Sequence, residues 1–171
     1  MKLKKNKGIL FWITGLPGSG KTSIAKLLYN RIEKNYGASI IISGDELRKD
    51  FNLKGYKKKD RLMIGFMYSN LFKRIINQNI NVIFSGGALY NKIQDYNKKK
   101  ISNYFEIFID SNLSKNKKIK KISKKNKHVV GIDIRPEYPK KPNIKYYNNF
   151  DTSLKVCSDE IFRLIKKKIK F

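Results

Sequence analysis

Cysteine is nearly absent from this chain of 171 residues, and acidic residues are scarce. Cys157 stands alone, so no internal disulfide can form; within a helical pattern it reads as a small buried filler. No apolar run approaches the ~20 residues that span a bilayer. ILFWIT (9–14) is far too short, and the glycines after it mark a turn. The basic start MKLKKNK leads into a strand and a glycine loop, unlike a secretory leader, so a cytoplasmic location is expected. Signatures of RNA-recognition, zinc-finger and helix-turn-helix modules are lacking. There is no internal repeat and no interdomain linker, so one domain over 1–171 is expected.

Thirteen Asp and Glu stand against 39 Lys and Arg, a net charge of +26. An excess of this size attracts polyanions. Lysine greatly outnumbers arginine, however, and Asn and Ile are abundant, which is the residue usage of an AT-rich genome. The charge is also spread along the chain. A basic surface that draws in nucleotides fits these facts better than a nucleic-acid reader. Neither nucleic acid nor a membrane is expected as a partner, and a homodimer is left open.

Aromatic content of 12% and hydrophobic content of 40% belong to a globular chain. Four short apolar runs, 8–14, 38–43, 81–85 and 104–110, lack alternation, as strands covered on both faces do. Helical patterns lie between them at 20–35, 45–53, 60–79 and about 89–101. A last helix closes the chain, with Asp151 as its expected N-cap. This alternation predicts an α/β fold with a parallel sheet and helices on both faces. The stretch 114–143 breaks the pattern. Its lysine-rich first half predicts a short basic lid over about 114–130, and its second half holds every proline except Pro17.

Gly15, Gly20, Lys21 and Thr22 fit G-x-x-x-x-G-K-[ST] without a mismatch, with a strand before and a helix after. This predicts a three-layer P-loop NTPase fold that binds ATP and Mg²⁺. Gly15, Leu16, Pro17, Gly18, Ser19, Gly20, Lys21, Thr22 and Ser23 would cradle the phosphates with backbone N–H groups. Lys21 would reach the β- and γ-phosphates, and the Thr22 hydroxyl would bind the metal. The guanine motif N-K-x-D of a GTPase is missing, because NKIQD (91–95) is one residue too long. A nucleic-acid motor needs more chain, whereas a small-molecule kinase fits. Asp45 closes a strand, where ligands collect in an open parallel sheet. It is positioned to take a hydroxyl proton or to hold metal-bound water. Arg48, one helical turn on, would clamp an anion.

These segments resemble the adenylylsulfate kinases, which move the γ-phosphate of MgATP to a ribose 3′-hydroxyl. FWITGLPGSGKTSIA resembles the family's opening strand and P-loop, and SGDELRKDFN its Asp-Gly-Asp-Asn-x-Arg-x-x-Leu-Asn segment. YFEIFIDSNLS resembles its fourth strand, and GIDIRPEYPKKPNI its Gly-Ile-Asp-x-x-Tyr-Glu-x-Pro-x-x-Pro loop. The resemblance implies Asp45 as base or metal organiser. It implies Arg48, Asn52 and Arg61 as acceptor-binding residues, and Tyr56 as the ring that stacks on the acceptor base. Gly131, Ile132 and Asp133, with Val130 before them, match the loop that closes on the acceptor, and Gly86 begins the segment beside the base.

The departures fall in the acceptor half. Ser43 and Glu46 replace an aspartate and an asparagine. MIGFM (63–67) lacks an acceptor-binding arginine, and GGALY (86–90) keeps only Tyr90 of Phe-Ile-Ser-Pro-Tyr. Val129 replaces the second stacking phenylalanine, and the lid is several residues shorter. A site tuned to adenine between two rings would not lose all these contacts cheaply. The expected acceptor is therefore another small nucleotide anhydride. Cytidine diphosphoramidate, phosphorylated in capsule phosphoramidate synthesis by a variant of this superfamily, is the favoured one. Adenylylsulfate itself and a non-catalytic basic nucleotide- or nucleic-acid-binding protein are the alternatives. His128, the one histidine, reads as a surface residue.

Overall fold

Apolar side chains sit on both sides of the first strand. In β1 (Leu10–Gly15) every residue is buried, because Phe11 and Ile13 face one layer of helices and Leu10 and Trp12 the other. The computed structural model describes residues 3–4, 6–87, 89–111, 115–116 and 128–169. Its helices are α1 (Lys21–Tyr36), α2 (Gly44–Asp50), α3 (Lys58–Ile76), α4 (Asn91–Lys100) and α5 (Leu154–Lys168). The other strands are β2 (Ser39–Ser43), β3 (Asn81–Gly86), β4 (Tyr104–Ser111) and β5 (Ile144–Asn148). All pairings are parallel, in the order β2-β3-β1-β4-β5.

Two cores hold the helices to the sheet. Ile24 and Leu28 of α1 and Ile161 and Ile165 of α5 pack on Phe11, Ile13, Phe105 and Ile107. Ile64, Tyr68 and Phe72 of α3 and Ile93 of α4 pack on Trp12, Val82 and Phe84. Burying such a side chain contributes ~1.5–3 kcal/mol. The expected three-layer α/β architecture is the one observed.

Several details differ from expectation, among them the helix predicted over 60–79, which spans Lys58–Ile76. The helix predicted over 45–53 ends at Asp50, because Asn52 turns into the left-handed region at φ 48°, which asparagine tolerates. The C-terminal helix is capped by Ser153, whose hydroxyl accepts from the Val156 N–H, and not by Asp151. Asp151 instead receives Lys115 and the Asn149 amide. The fifth strand, β5, went unexpected, since this edge strand is half-exposed and polar at alternate positions. Most of the predicted lid over 114–130 lies outside the described residues.

One carboxylate is buried within the sheet. Glu106 on β4 is fully buried, accepts from the Tyr104 hydroxyl at 3.0 Å and pairs with Lys98 at 3.2 Å. Burial holds its carboxyl above the usual range, with Lys98 opposing. A carboxyl raised on folding favours the native state below its unfolded pKa, and that contribution is lost as pH rises through the folded value. Glu106→Gln should therefore flatten the dependence of stability on pH between the carboxylate range and neutrality. Urea unfolding across that range checks it, and an unchanged slope would remove Glu106 from the pH response.

Candidate active site

The chain leaves β1 through the glycine loop. A Cβ on Gly15 would lie 2.3 Å from the Ile109 carbonyl, so only glycine lets this loop press against β4. Gly20, at φ 96°, begins α1 with no side-chain cap and no acid in the first turn. The N–H groups of the first helical turn therefore face the cleft without a carboxylate beside them. Lys21 Nζ donates to the Leu16 carbonyl at 2.7 Å across the loop. Two asparagines fasten the loop from outside: Asn148 Nδ2 donates to the Ser19 carbonyl at 3.0 Å, and Asn116 Nδ2 to the Pro17 carbonyl at 2.9 Å. Asn148 Oδ1 also accepts the Phe150 N–H.

At the carboxyl end of β3, Ser85 Oγ lies 3.4 Å from Thr22 Oγ1. Across the cleft, the Ser43 hydroxyl caps α2 and sets Asp45 in its first turn, exposed. Thr22 and Asp45 offer the hard oxygens that Mg²⁺ prefers. Among the described residues no group of three or more His, Cys, Asp or Glu could hold a metal. That sparse set fits an ion held by one or two protein oxygens together with phosphates and water.

The other end of the cleft is built from arginines. Arg48 Nη1 donates to the carbonyls of Leu53 and Gly55, both at 3.1 Å, which folds the chain after α2. Arg61 Nε donates to the Tyr56 carbonyl and Nη2 to the His128 carbonyl, both at 2.9 Å. Both guanidinium groups approach the Tyr56 ring, at 5.0 and 5.4 Å from its centre. Burial lowers the Arg61 pKa, with Tyr90 opposing; arginine keeps its charge regardless. Below them the Tyr68 hydroxyl donates to the Gly44 carbonyl at 3.4 Å.

Val129–Ile134 closes as a tight turn. Asp133 Oδ2 accepts the Val129 N–H at 2.7 Å, and the Gly131 N–H donates to the Ile134 carbonyl. Glu137 ties the following segment down by accepting from Lys58 and from the Asn91 N–H. These donors, Lys58 first, hold its carboxyl below the usual range.

One cleft of about 1380 Å³ joins the two ends. This exceeds the ~300–1,000 Å³ of pockets for a single small ligand, leaving room for two nucleotides end to end. Pro17, Gly18, Gly20, Lys21, Thr22 and Ser23 line one end. Asp45, Arg48, Asn52, Tyr56, Arg61, Gly86 and Val130 line the rest. Leu16 and Ser19 are buried beneath the loop. Gly131, Ile132 and Asp133 shape the turn that presents Val129 and Val130, and they do not line the cleft. Asn148, Ser85, Phe84 and Tyr68 went unnamed in the sequence reading. Ser85 stands where the apolar run of β3 reaches its carboxyl end, and that position was its signal; Asn148 ends the polar strand β5 and had none.

The family model of adenylylsulphate kinase matches residues 7–146. A cytidine diphosphoramidate kinase of Campylobacter jejuni is 33% identical over 142 residues, 79% of this chain and 84% of that protein. An adenylyl-sulfate kinase of Rippkaea orientalis is 30% identical over 160 residues, 86% of each chain. The APS kinase of Mycobacterium tuberculosis, solved with AMPPNP and APS, superimposes with a TM-score of 0.80 at 25% identity. That match covers 94% of this chain and 98% of the other.

Asn148→Ala should weaken ATP binding about 10-fold and cost ~1–3 kcal/mol of stability, because it leaves the buried Ser19 carbonyl unpaired. Melting curves with and without ATP check both effects. An undiminished ATP-induced shift would mean that Asn148 does not position the loop.

Proposed function

Because the chain belongs to the adenylylsulphate kinase family, we propose that it moves the γ-phosphoryl of ATP to the ribose 3′-hydroxyl of a nucleotide anhydride, with cytidine diphosphoramidate as the favoured acceptor. The observation that carries this choice is the make-up of the acceptor end. Its exposed ring is Tyr56, with Tyr68, Phe84 and Tyr90 buried in the wall beneath, and Arg61 ties it to the segment 128–130, where Val129 and Val130 give the cleft an aliphatic side beside His128. A pyrimidine suits one ring and one aliphatic wall. The Campylobacter relative carries a name that agrees with this. Adenylylsulfate is the competing acceptor, since other relatives are named adenylyl-sulfate kinases.

The chemistry follows from the two ends of the cleft. The N–H groups of the glycine loop and Lys21 hold and neutralise the β- and γ-phosphates, and Thr22 and Asp45 would hold Mg²⁺. When bound, that ion supplies Lewis-acid stabilisation of charge developing on the phosphoryl oxygens. Asp45 orients the acceptor hydroxyl and takes its proton. Tyr56 stacks on the base, with Arg48 and Arg61 behind it and their positive charge facing the anhydride tail. Bringing both substrates into one cleft supplies the alignment that in-line transfer needs.

Two measurements test this. In a side-by-side screen, ADP release should be stimulated more by cytidine diphosphoramidate than by adenylylsulfate; the opposite preference overturns the acceptor. No stimulation by either, together with salt-sensitive RNA binding, would favour a non-catalytic protein. Asp45→Ala should lower kcat by on the order of 10²–10⁴-fold, and Tyr56→Ala should raise the acceptor KM ~10–100-fold with little change for ATP.

A further inference from the structure

Lysine is dispersed along the sequence but collected in space. α1, α3, α4 and α5 each run back from the cleft side, so all four end at the amino edge of the sheet, away from the cleft. Their last turns hold nine Lys and Arg. The single acid in those turns is Glu33. Basic residues at helix C-termini suit the helix dipole, and four such ends side by side concentrate them. Lys4 and Lys7 join this face, because Asn103 Nδ2 donates to their carbonyls and Lys7 Nζ donates to Asn77 Oδ1. The cleft side is cationic as well, but Asp45, Glu46, Asp50, Asp60 and Glu137 are interleaved with its lysines.

The amino edge has a shape as well as a charge. α1 and α5 cover one face of the sheet and α3 and α4 the other. Helices are about 10 Å across, so their basic ends form an array on the order of 20 Å in each direction. A flat array of this kind meets a plane with most of its charges, whereas a duplex meets it along a strip. The large exposed rings among the described residues, Phe51, Tyr56, Tyr138, Tyr147 and Phe150, lie elsewhere, so the described part of this face offers no platform for stacking bases. Exposed lysine heads add attraction to an anionic leaflet one by one within a Debye length of ~8–10 Å.

We propose that this lysine face docks the protein on an anionic lipid bilayer by charge alone, with the cleft turned toward solvent. No helix among the described residues is long and apolar enough to cross a membrane, so the contact is peripheral. The proposal revises the expectation of no membrane partner, and it stands whether or not the acceptor assignment does.

Vesicle sedimentation tests it. The full chain should bind phosphatidylglycerol vesicles at low salt, not phosphatidylcholine vesicles, and should be released at high salt. Replacing Lys99, Lys100, Lys166 and Lys167 by Gln should weaken binding on the order of 100-fold or more, leaving kinase activity in solution unchanged. Replacing Lys49, Lys54, Lys57 and Lys59 by Gln, an equal change of net charge on the cleft side, should weaken it far less. Equal losses in the two variants would make net charge, and not this face, the cause. Absence of binding to phosphatidylglycerol, or tighter binding to RNA at the same salt, would overturn the proposal.

Discussion

Complete burial of β1 is the constraint on which the rest depends. It is hydrogen-bonded to a neighbour on each side and covered on both faces, so its carboxyl end is the best-fixed point in the fold. The glycine loop begins there and inherits that rigidity. The chain leaves β1 through α1 on one face and returns from β3 to β4 through α4 on the other. This reversal opens a crevice at the ends of β1 and β3, where open α/β sheets hold ligands. Thr22 and Ser85 meet in that crevice.

The two ends of the cleft are held together by different physics. The ATP end rests on apolar packing, with Ile24 and Leu28 anchoring α1 to the sheet. The other end rests on local bonds between side chains and backbone: Arg48 to two carbonyls, Asp60 to the Lys57 N–H and Asp133 to the Val129 N–H. Net contributions of ~0.5–1.5 kcal/mol per bond leave such a region with lower local stability than the core. That leaves the wall around Arg48, Tyr56 and Arg61 freer to adjust than the sheet-backed glycine loop.

The layers, the strand order's parallel character and the phosphate loop were legible in the sequence because each rests on a local pattern. Continuous apolar runs mark doubly covered strands, and fixed glycine spacing marks the loop. β5 was not legible, since IKYYN buries only one side and carries the polarity of a loop. Asn148 was lost with it, although it holds the Ser19 carbonyl. Asp151 and Ser153 are both good caps by type, and only the course of the chain decides between them. The grouping of lysines in space was not legible for a similar reason. Lysines spaced by whole helices look scattered along a line, and only the common direction of four helices brings them together. Tyr56 and Arg61 were named, but the bond from Arg61 to the backbone at His128 links residues 67 apart, beyond any local signal.

Arg61 donates its hydrogen bonds to carbonyl oxygens of the main chain, at Tyr56 and at His128, while its guanidinium also lies over the Tyr56 ring. Every amino acid supplies that oxygen. The hydrogen-bonded part of the link between these two segments is thus set by backbone atoms alone. A side chain can be exchanged at 129 without touching this bond, whereas at 56 the ring also carries the two guanidinium groups. Such a separation of scaffold from lining lets the residue at 129 change while the bond that joins the two segments persists.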